Sequence, residues 1–340
     1  MNNHPSFREC INRLTDELRR VMAEDIRAAF ERPYHNALDA MLRIHQLNRE
    51  QGLLYYLLDH SWLLPLSSFL GGIKAFSDEI EDRGVRNASA TLFQKMGVRL
   101  KVILPPQIES ILTKKTPIML VGEHPSKLGF DFFAIAASLA RFCWSKTEPR
   151  LLALPSTIGI CPGLRSVAFP VVQTQGSTMQ LLTSEGGQPK ELAQLWVPEA
   201  QRRQAMNITS SSLDKAADHW VDGGHVVIFP DTGLKGSEWF YGVGRIVLKV
   251  LDKLKADNES DPYILFFNLE GARDFLILNY PFMSHLNPAR LMLLGKNGNI
   301  TVRYQKLLRI RDYQNTFSEM DKGMLTHYLQ KEYELAKISG

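Results

Sequence analysis

The sequence predicts an α/β fold: a mostly parallel central sheet flanked by helices, with an N-terminal helical bundle ahead of it. Three observations lead there. From Thr116 onward, short apolar runs alternate with amphipathic helical patterns, the signature of strands joined by crossover helices. Over the first hundred residues the apolar positions instead recur at three- and four-residue steps, and no clear strand is visible. The composition, 44% hydrophobic and 22% charged over 340 residues, is that of an ordinary globular protein with room for two domains. The expected division is a helical module over 1–105 and an α/β domain over 106–340.

The elements follow in chain order. Phe7, Ile11, Leu14, Leu18, Val21, Met22, Ile26 and Phe30 line one helix face between Ser6 and Arg32, and Pro33 stands where that helix stops. Residues 36–51 repeat the pattern, and 53–60, 65–76 and 85–96 read as further helices. Strands are expected at the apolar runs 117–121, 151–154, 167–172, 225–229, 263–267 and 300–304. Helices are expected at 129–142, 189–205, 209–222 and 240–255, with a polar amphipathic helix over 316–338.

Bulk properties exclude several function classes. Forty Lys and Arg against 36 Asp and Glu leave a formal charge of +4, too small a surplus for a nucleic-acid binder and compatible with anionic substrates. The three cysteines, Cys10, Cys143 and Cys161, have no metal-type spacing and cannot form a disulfide framework, which points to a reducing compartment. The start, Met1-Asn-Asn-His-Pro-Ser, has no charged segment leading into an apolar run, so no signal peptide is expected. The most apolar stretch, 53–70, is interrupted by Asp59, His60 and Pro65 and falls short of a membrane span. A cytoplasmic protein is expected, with attachment to the inner face of a membrane as the second option. Segment 53–76 is the candidate for interfacial contact, or else it is buried in the helical module.

In open α/β sheets, ligands sit beyond the carboxyl ends of the strands, so chemistry is sought just after each apolar run. The run 117–121 leads into Gly122-Glu123-His124-Pro125-Ser126, and Asp131 opens the next helix. A histidine there is the general base best matched to neutral pH, and a carboxylate facing it fixes the tautomer and stabilises the imidazolium. The other reading is a loop histidine beside an N-cap aspartate. The run 225–229 leads into Pro230-Asp231-Thr232-Gly233-Leu234-Lys235, whose backbone N–H groups, hydroxyl and cation suit a phosphate or oxyanion. Arg165 precedes the run 167–172 and offers a bidentate fork, or is a solvated helix-end arginine. The remaining histidines form no HxxxH or HExxH cluster, so no metal is expected.

Taken in order, these segments resemble the glycerolipid acyltransferase superfamily, which includes glycerol-3-phosphate and lysophosphatidate acyltransferases. The first family motif, an apolar strand followed by Asn-His-x-Ser-x-x-Asp, is matched by Leu120-Val-Gly-Glu-His124-Pro-Ser126 and Asp131. The second, an Arg ahead of a Val/Ile-rich strand, is matched by Arg165 and 169–172. The third is matched by Val226-Val-Ile-Phe229-Pro230-Asp231-Thr232-Gly233 with Trp239 and Gly242, and the fourth by the run from Pro262 to Glu270-Gly271. The chain departs from the pattern in three places. The interval from His124 to Asp131 is longer than the family's. Glu123 stands where Asn is common, and Asp231-Thr-Gly replaces Glu-Gly-Thr without the following Arg. The longer interval leaves two outcomes open: the extra residues bulge from the loop, or they displace Asp131.

The resemblance implies a glycerolipid acyltransferase-like fold. It also implies an enzyme that moves a fatty acyl group from acyl-CoA or acyl-carrier protein to a hydroxyl of a phosphate-bearing acceptor, such as glycerol-3-phosphate or a lysophospholipid. His124 and Asp131 would be catalytic, and Ser126, Arg165, Asp231, Thr232, Gly233 and Lys235 would bind substrate. The acyl donor is a co-substrate, and no further cofactor is implied. The partners would be the donor, the acceptor and the surface of a membrane, not nucleic acid. The alternatives are an acyltransferase of the same fold acting on a non-glycerolipid alcohol or amine, and a non-catalytic lipid- or acyl-carrier-binding relative.

Overall fold

The computed structural model describes residues 75–95, 98–112, 116–124, 130–142, 148–153, 158, 161–171, 199–231, 239–256, 261–271 and 299–339. The expected helices over 6–32, 36–51 and 53–60, most of 65–76, and the candidate interfacial segment 53–76 all but for its last two residues, lie outside them.

The described chain begins with α1 (75–83) and α2 (Val85–Lys95), joined at Gly84 with φ +80°. It continues through β1 (Arg99–Ile103), α3 (Pro106–Leu112), β2 (Ile118–Val121), α4 (Phe130–Phe142) and β3 (Arg150–Ala153). A 3-10 turn (Pro162–Ser166) leads into β4 (Ala168–Pro170), followed by α5 (Glu199–Val221), β5 (His225–Ile228), α6 (Gly242–Ala256), β6 (Tyr263–Glu270) and β7 (Asn299–Arg309). A second 3-10 turn (Ile310–Tyr313), α7 (Gln314–Ser318) and α8 (Lys322–Ser339) close the chain.

Seven strands form one sheet in the order β1-β7-β6-β2-β5-β3-β4. Every neighbouring pair is parallel except β6 and β7. The central strands β2 and β5 are buried at all four positions, as expected for parallel strands with helices on both faces. Alternate side chains feed two cores. Ile118 and Leu120 join Phe132, Phe133, Ile135 and Leu139 of α4 together with α1 and α2. Met119 and Val121 join Trp220 of α5, Ile246 and Val250 of α6, and Leu325, Leu329 and Tyr333 of α8.

The mostly parallel α/β sheet expected from the sequence is present, with instructive differences. Residues 99–103, placed in the helical module by the sequence, form β1 and pair with β7, while Phe76, Ile80, Val85 and Phe93 sit in the same core as α4. The boundary expected near 105 therefore does not separate 75–105 from the sheet. β1 carries no apolar run because it is a short strand at the sheet's rim with Arg99 and Lys101, as such strands often have. The part of the helix expected at 189–205 that is described and the helix expected at 209–222 form one helix over Glu199–Val221, where no Gly or Pro interrupts; 189–198 lie outside the described residues. The helix expected at 316–338 breaks before Lys322, because Asp321 caps α8 by accepting hydrogen bonds from the N–H groups of Gly323 (2.7 Å) and Met324 (2.8 Å). α8 is no solvated tail. Leu325, Leu329, Tyr333 and Ala336 bury a full apolar stripe.

Candidate active site

The connections place a crevice at the carboxyl ends of β2 and β5. These strands are neighbours, yet the chain leaves β2 toward α4 on one face and leaves β5 toward α6 on the other. Such a reversal is where open α/β sheets bind ligands. His124 emerges from β2 and Asp231 from β5.

Gly122 is the pivot of the first exit. A Cβ there would lie 2.6 Å from the Phe267 carbonyl oxygen and 2.5 Å from its ring, so only glycine lets β2 end this close to β6. His124 then turns toward α4. Its ring lies 5.1 Å from that of Phe229, which meets Phe267 edge-on at 5.8 Å. Its Nδ1 meets the Oδ2 of Asp131 in the first turn of α4, across the seven-residue interval. Asp131 has no solvent exposure, while the imidazole keeps 30%. The contact assigns the ring proton to Nδ1, donating to the carboxylate, and leaves Nε2 as the basic nitrogen.

Asp231 joins the pair through the backbone. Its Oδ1 accepts the N–H of His124 at 2.9 Å, although the two residues are 107 apart in sequence. The electrostatics follow from these neighbours. Burial alone would lower the His124 pKa, but the charge and hydrogen bond of Asp131, helped by Asp231, raise it above the ordinary 6.5. Burial pushes the Asp231 carboxyl up to about 6, against the opposing pull of the His124 N–H and ring.

The turn after β5 is closed by Phe240 N–H donating to the Pro230 carbonyl at 2.7 Å. Trp239 N–H reaches Oε1 of Gln330 on α8 at 3.3 Å, and the Trp239 ring packs on Tyr333 at 5.3 Å. α8 also reaches the β2 exit, where Lys337 Nζ lies 3.0 Å from both carboxylate oxygens of Glu123. Neither Lys337 nor Tyr333 was singled out in the sequence. They lie on a helix that reads as a polar tail, and no local pattern ties them to a residue more than two hundred positions upstream.

Of the residues predicted from the sequence, His124, Asp131 and Asp231 come together. Ser126, Thr232, Gly233 and Lys235 lie outside the described residues. Arg165 does not join them. It sits in the 3-10 turn leading into β4, and the parallel register from Ala168 through Leu151 and Val227 to Leu120 puts that turn beyond the amino end of the strands, opposite His124. An arginine placed before a parallel strand lies at the edge away from groups placed after one. Among the described residues no cluster of three or more His, Cys, Asp or Glu side chains is disposed to hold a metal ion, and no helix is long and apolar enough to cross a membrane. No family model, curated protein or solved structure matches the chain.

Proposed function

We propose that this chain is an O-acyltransferase that moves an acyl group from a thioester, acyl-CoA or acyl-carrier protein, to a hydroxyl of a phosphate-bearing acceptor. The observation that carries the reading is the His124–Asp131 contact at the sheet's switch point, with Nε2 left as the base. The contact brings Asp131 to the ring across the long interval, and it supports an enzyme over a binding-only relative, which would have no need for an oriented imidazole.

The chemistry follows from the geometry. His124 Nε2 takes the proton of the acceptor hydroxyl as its oxygen attacks the thioester carbonyl carbon. Asp131 holds the ring orientation and stabilises the imidazolium. The tetrahedral intermediate collapses, the carbon–sulfur bond breaks, and the departing thiolate takes the proton back from Nε2. Asp231, by gripping the His124 N–H, fixes the backbone from which the base projects.

A second reading is favoured by the charges beside His124. Glu123 and Asp231 are carboxylates, the Lys337 ammonium is engaged by Glu123, and Arg165 is at the other edge, so while that pair stays closed an acceptor without phosphate, an alcohol or amine, suits the described surroundings. An acyl-transfer assay tests both. Purified protein is given acyl-CoA or acyl-carrier protein with glycerol-3-phosphate, lysophosphatidate, and uncharged alcohols and amines, with His124→Asn as the control. Transfer lost in His124→Asn supports the scheme, and the accepted panel members choose between the readings. Transfer that persists in the variant refutes it.

A further inference from the structure

α8 brings a cation to the residue next to the base. Lys337 Nζ contacts both oxygens of Glu123 at 3.0 Å and stands 5.3 Å from the centre of the Tyr333 ring. Tyr333 is fully buried, wedged against Trp239 and Phe266, so the platform under the ammonium is rigid. Glu123 and Lys337 are each 30% exposed at their side chains, open to a ligand on the outer side. Glu334 stands 3.9 Å from the same ammonium.

We propose that Lys337 is a substrate-positioning residue that releases Glu123 to take the phosphate of an incoming substrate at the His124 edge of the sheet. A single carboxylate–ammonium pair open to water on one side is weak and parts readily. Lysine is a point charge on a flexible stem, suited to swinging between partners. A phosphate group offers more acceptor oxygens and more charge than one carboxylate and competes well for the ammonium. The phosphate has two sources to distinguish, the acceptor or the phosphopantetheine arm of the acyl donor. Glu123, left behind, repels either one. The two members of the pair therefore act on phosphate binding with opposite signs, which a purely structural staple would not do.

The inference deepens the acyl-transfer reading and rests on it for its kinetic arm alone. The binding arm uses titration calorimetry of the full chain with inorganic phosphate, glycerol 3-phosphate and coenzyme A, and with glycerol and pantetheine as phosphate-free partners. Lys337→Met is expected to weaken binding of one phosphate ligand about tenfold, roughly the loss of one ionic contact. Lys337→Arg stays near the wild type, Glu123→Gln binds the same ligand more tightly, and the phosphate-free compounds are unaffected. Glycerol 3-phosphate as the affected ligand identifies the acceptor as the source, and coenzyme A the donor. In the kinetic arm, Lys337→Met raises KM for that substrate and leaves kcat in place. The inference is overturned if the wild type binds no phosphate ligand, or if Lys337→Met and Glu123→Gln move binding in the same direction or not at all. Lys337-dependent binding without any transfer sinks the enzymatic reading and leaves the site. Transfer with KM values indifferent to Lys337 does the reverse.

Discussion

Replacing His124 separates what the imidazole does for folding from what it does for chemistry. Asp131 has no solvent exposure, and His124 Nδ1 is held by its carboxylate. His124→Ala leaves that carboxylate buried without the ring, and breaking a buried pair by deleting one partner costs about 3–5 kcal/mol. Because the imidazole is 30% exposed, water can fill part of its place. The low end applies, and a loss of about 3 kcal/mol is expected. His124→Asn behaves differently. Its amide nitrogen falls near the position of Nδ1 and can still donate to Asp131, so the cost drops to about 1 kcal/mol, the worth of one ordinary hydrogen bond. Urea denaturation at pH 7 reads the difference of about 2 kcal/mol as a shift in midpoint at constant slope. Both variants lack Nε2, and transfer falls by at least about a hundredfold in each. Two results refute the reasoning: an Ala variant as stable as the Asn variant, which means Asp131 does not depend on the ring, or an Asn variant that still transfers.

Three further outcomes follow from the same geometry. In the wild type, activity rises with pH as His124 loses its proton, at a value above the ordinary 6.5. In Asp131→Asn that limb moves to lower pH, because burial still disfavours the imidazolium while the stabilising carboxylate is gone, and a limb that stays put refutes the assignment. Asp231 has a folded-state pKa of about 6 against an ordinary 3.8, so the folded protein binds the extra proton and loses stability as pH rises between those values. Asp231→Asn is therefore stabilised by up to about 3 kcal/mol at pH 7, a gain that fades below about pH 4, and chemical denaturation at the two pH values measures it. His225, 1% exposed at the start of β5 near Arg86 and His219, has a pKa lowered by burial to about 4. Its contribution is whole above pH 6.5 and is lost as pH falls toward 4, so His225→Leu should lessen the acid sensitivity by roughly 3 kcal/mol at pH 4, read as a smaller fall in denaturation midpoint.

The sheet was legible because buried parallel strands are nearly continuous apolar runs. Ile118–Val121 and His225–Ile228 are buried at every position, and both were visible as such. β1 was not, since a five-residue strand at the sheet's rim with Arg99 and Lys101 carries neither an apolar run nor a clean alternation. In the site, His124 and Asp131 were legible because each lies beside the boundary of a strand or helix, where local pattern predicts position well. Arg165 was misplaced for a reason of direction. Residues before and after parallel strands lie at opposite edges, and a motif read as text does not keep that distinction.

The part of the site that sequence reasoning could not reach is the part made by contacts between distant segments. Asp231 meets the His124 N–H from 107 residues away, and Lys337 meets Glu123 from 214 away. Neither contact leaves a mark in local composition: Asp231 stands out only as a substrate-binding turn residue, not as a partner of the His124 backbone, and Lys337 reads as one more surface charge. Both become intelligible through the topology. β5 is the neighbour of β2 in the sheet, so any carboxylate ending β5 stands beside whatever ends β2. α8 is held over the same edge by the burial of Tyr333 and by Gly244, where a Cβ would lie 2.3 Å from the Lys322 carbonyl oxygen. That close approach couples α8 to α6, and the segment leading into α6 is tied to the end of β5 by the Phe240 N–H bond to the Pro230 carbonyl, next to Asp231. A change at the α6–α8 contact, such as Gly244→Ala, therefore disturbs the surroundings of His124 without touching any residue at the base. Its effect should appear in transfer and in the Lys337–Glu123 contact together.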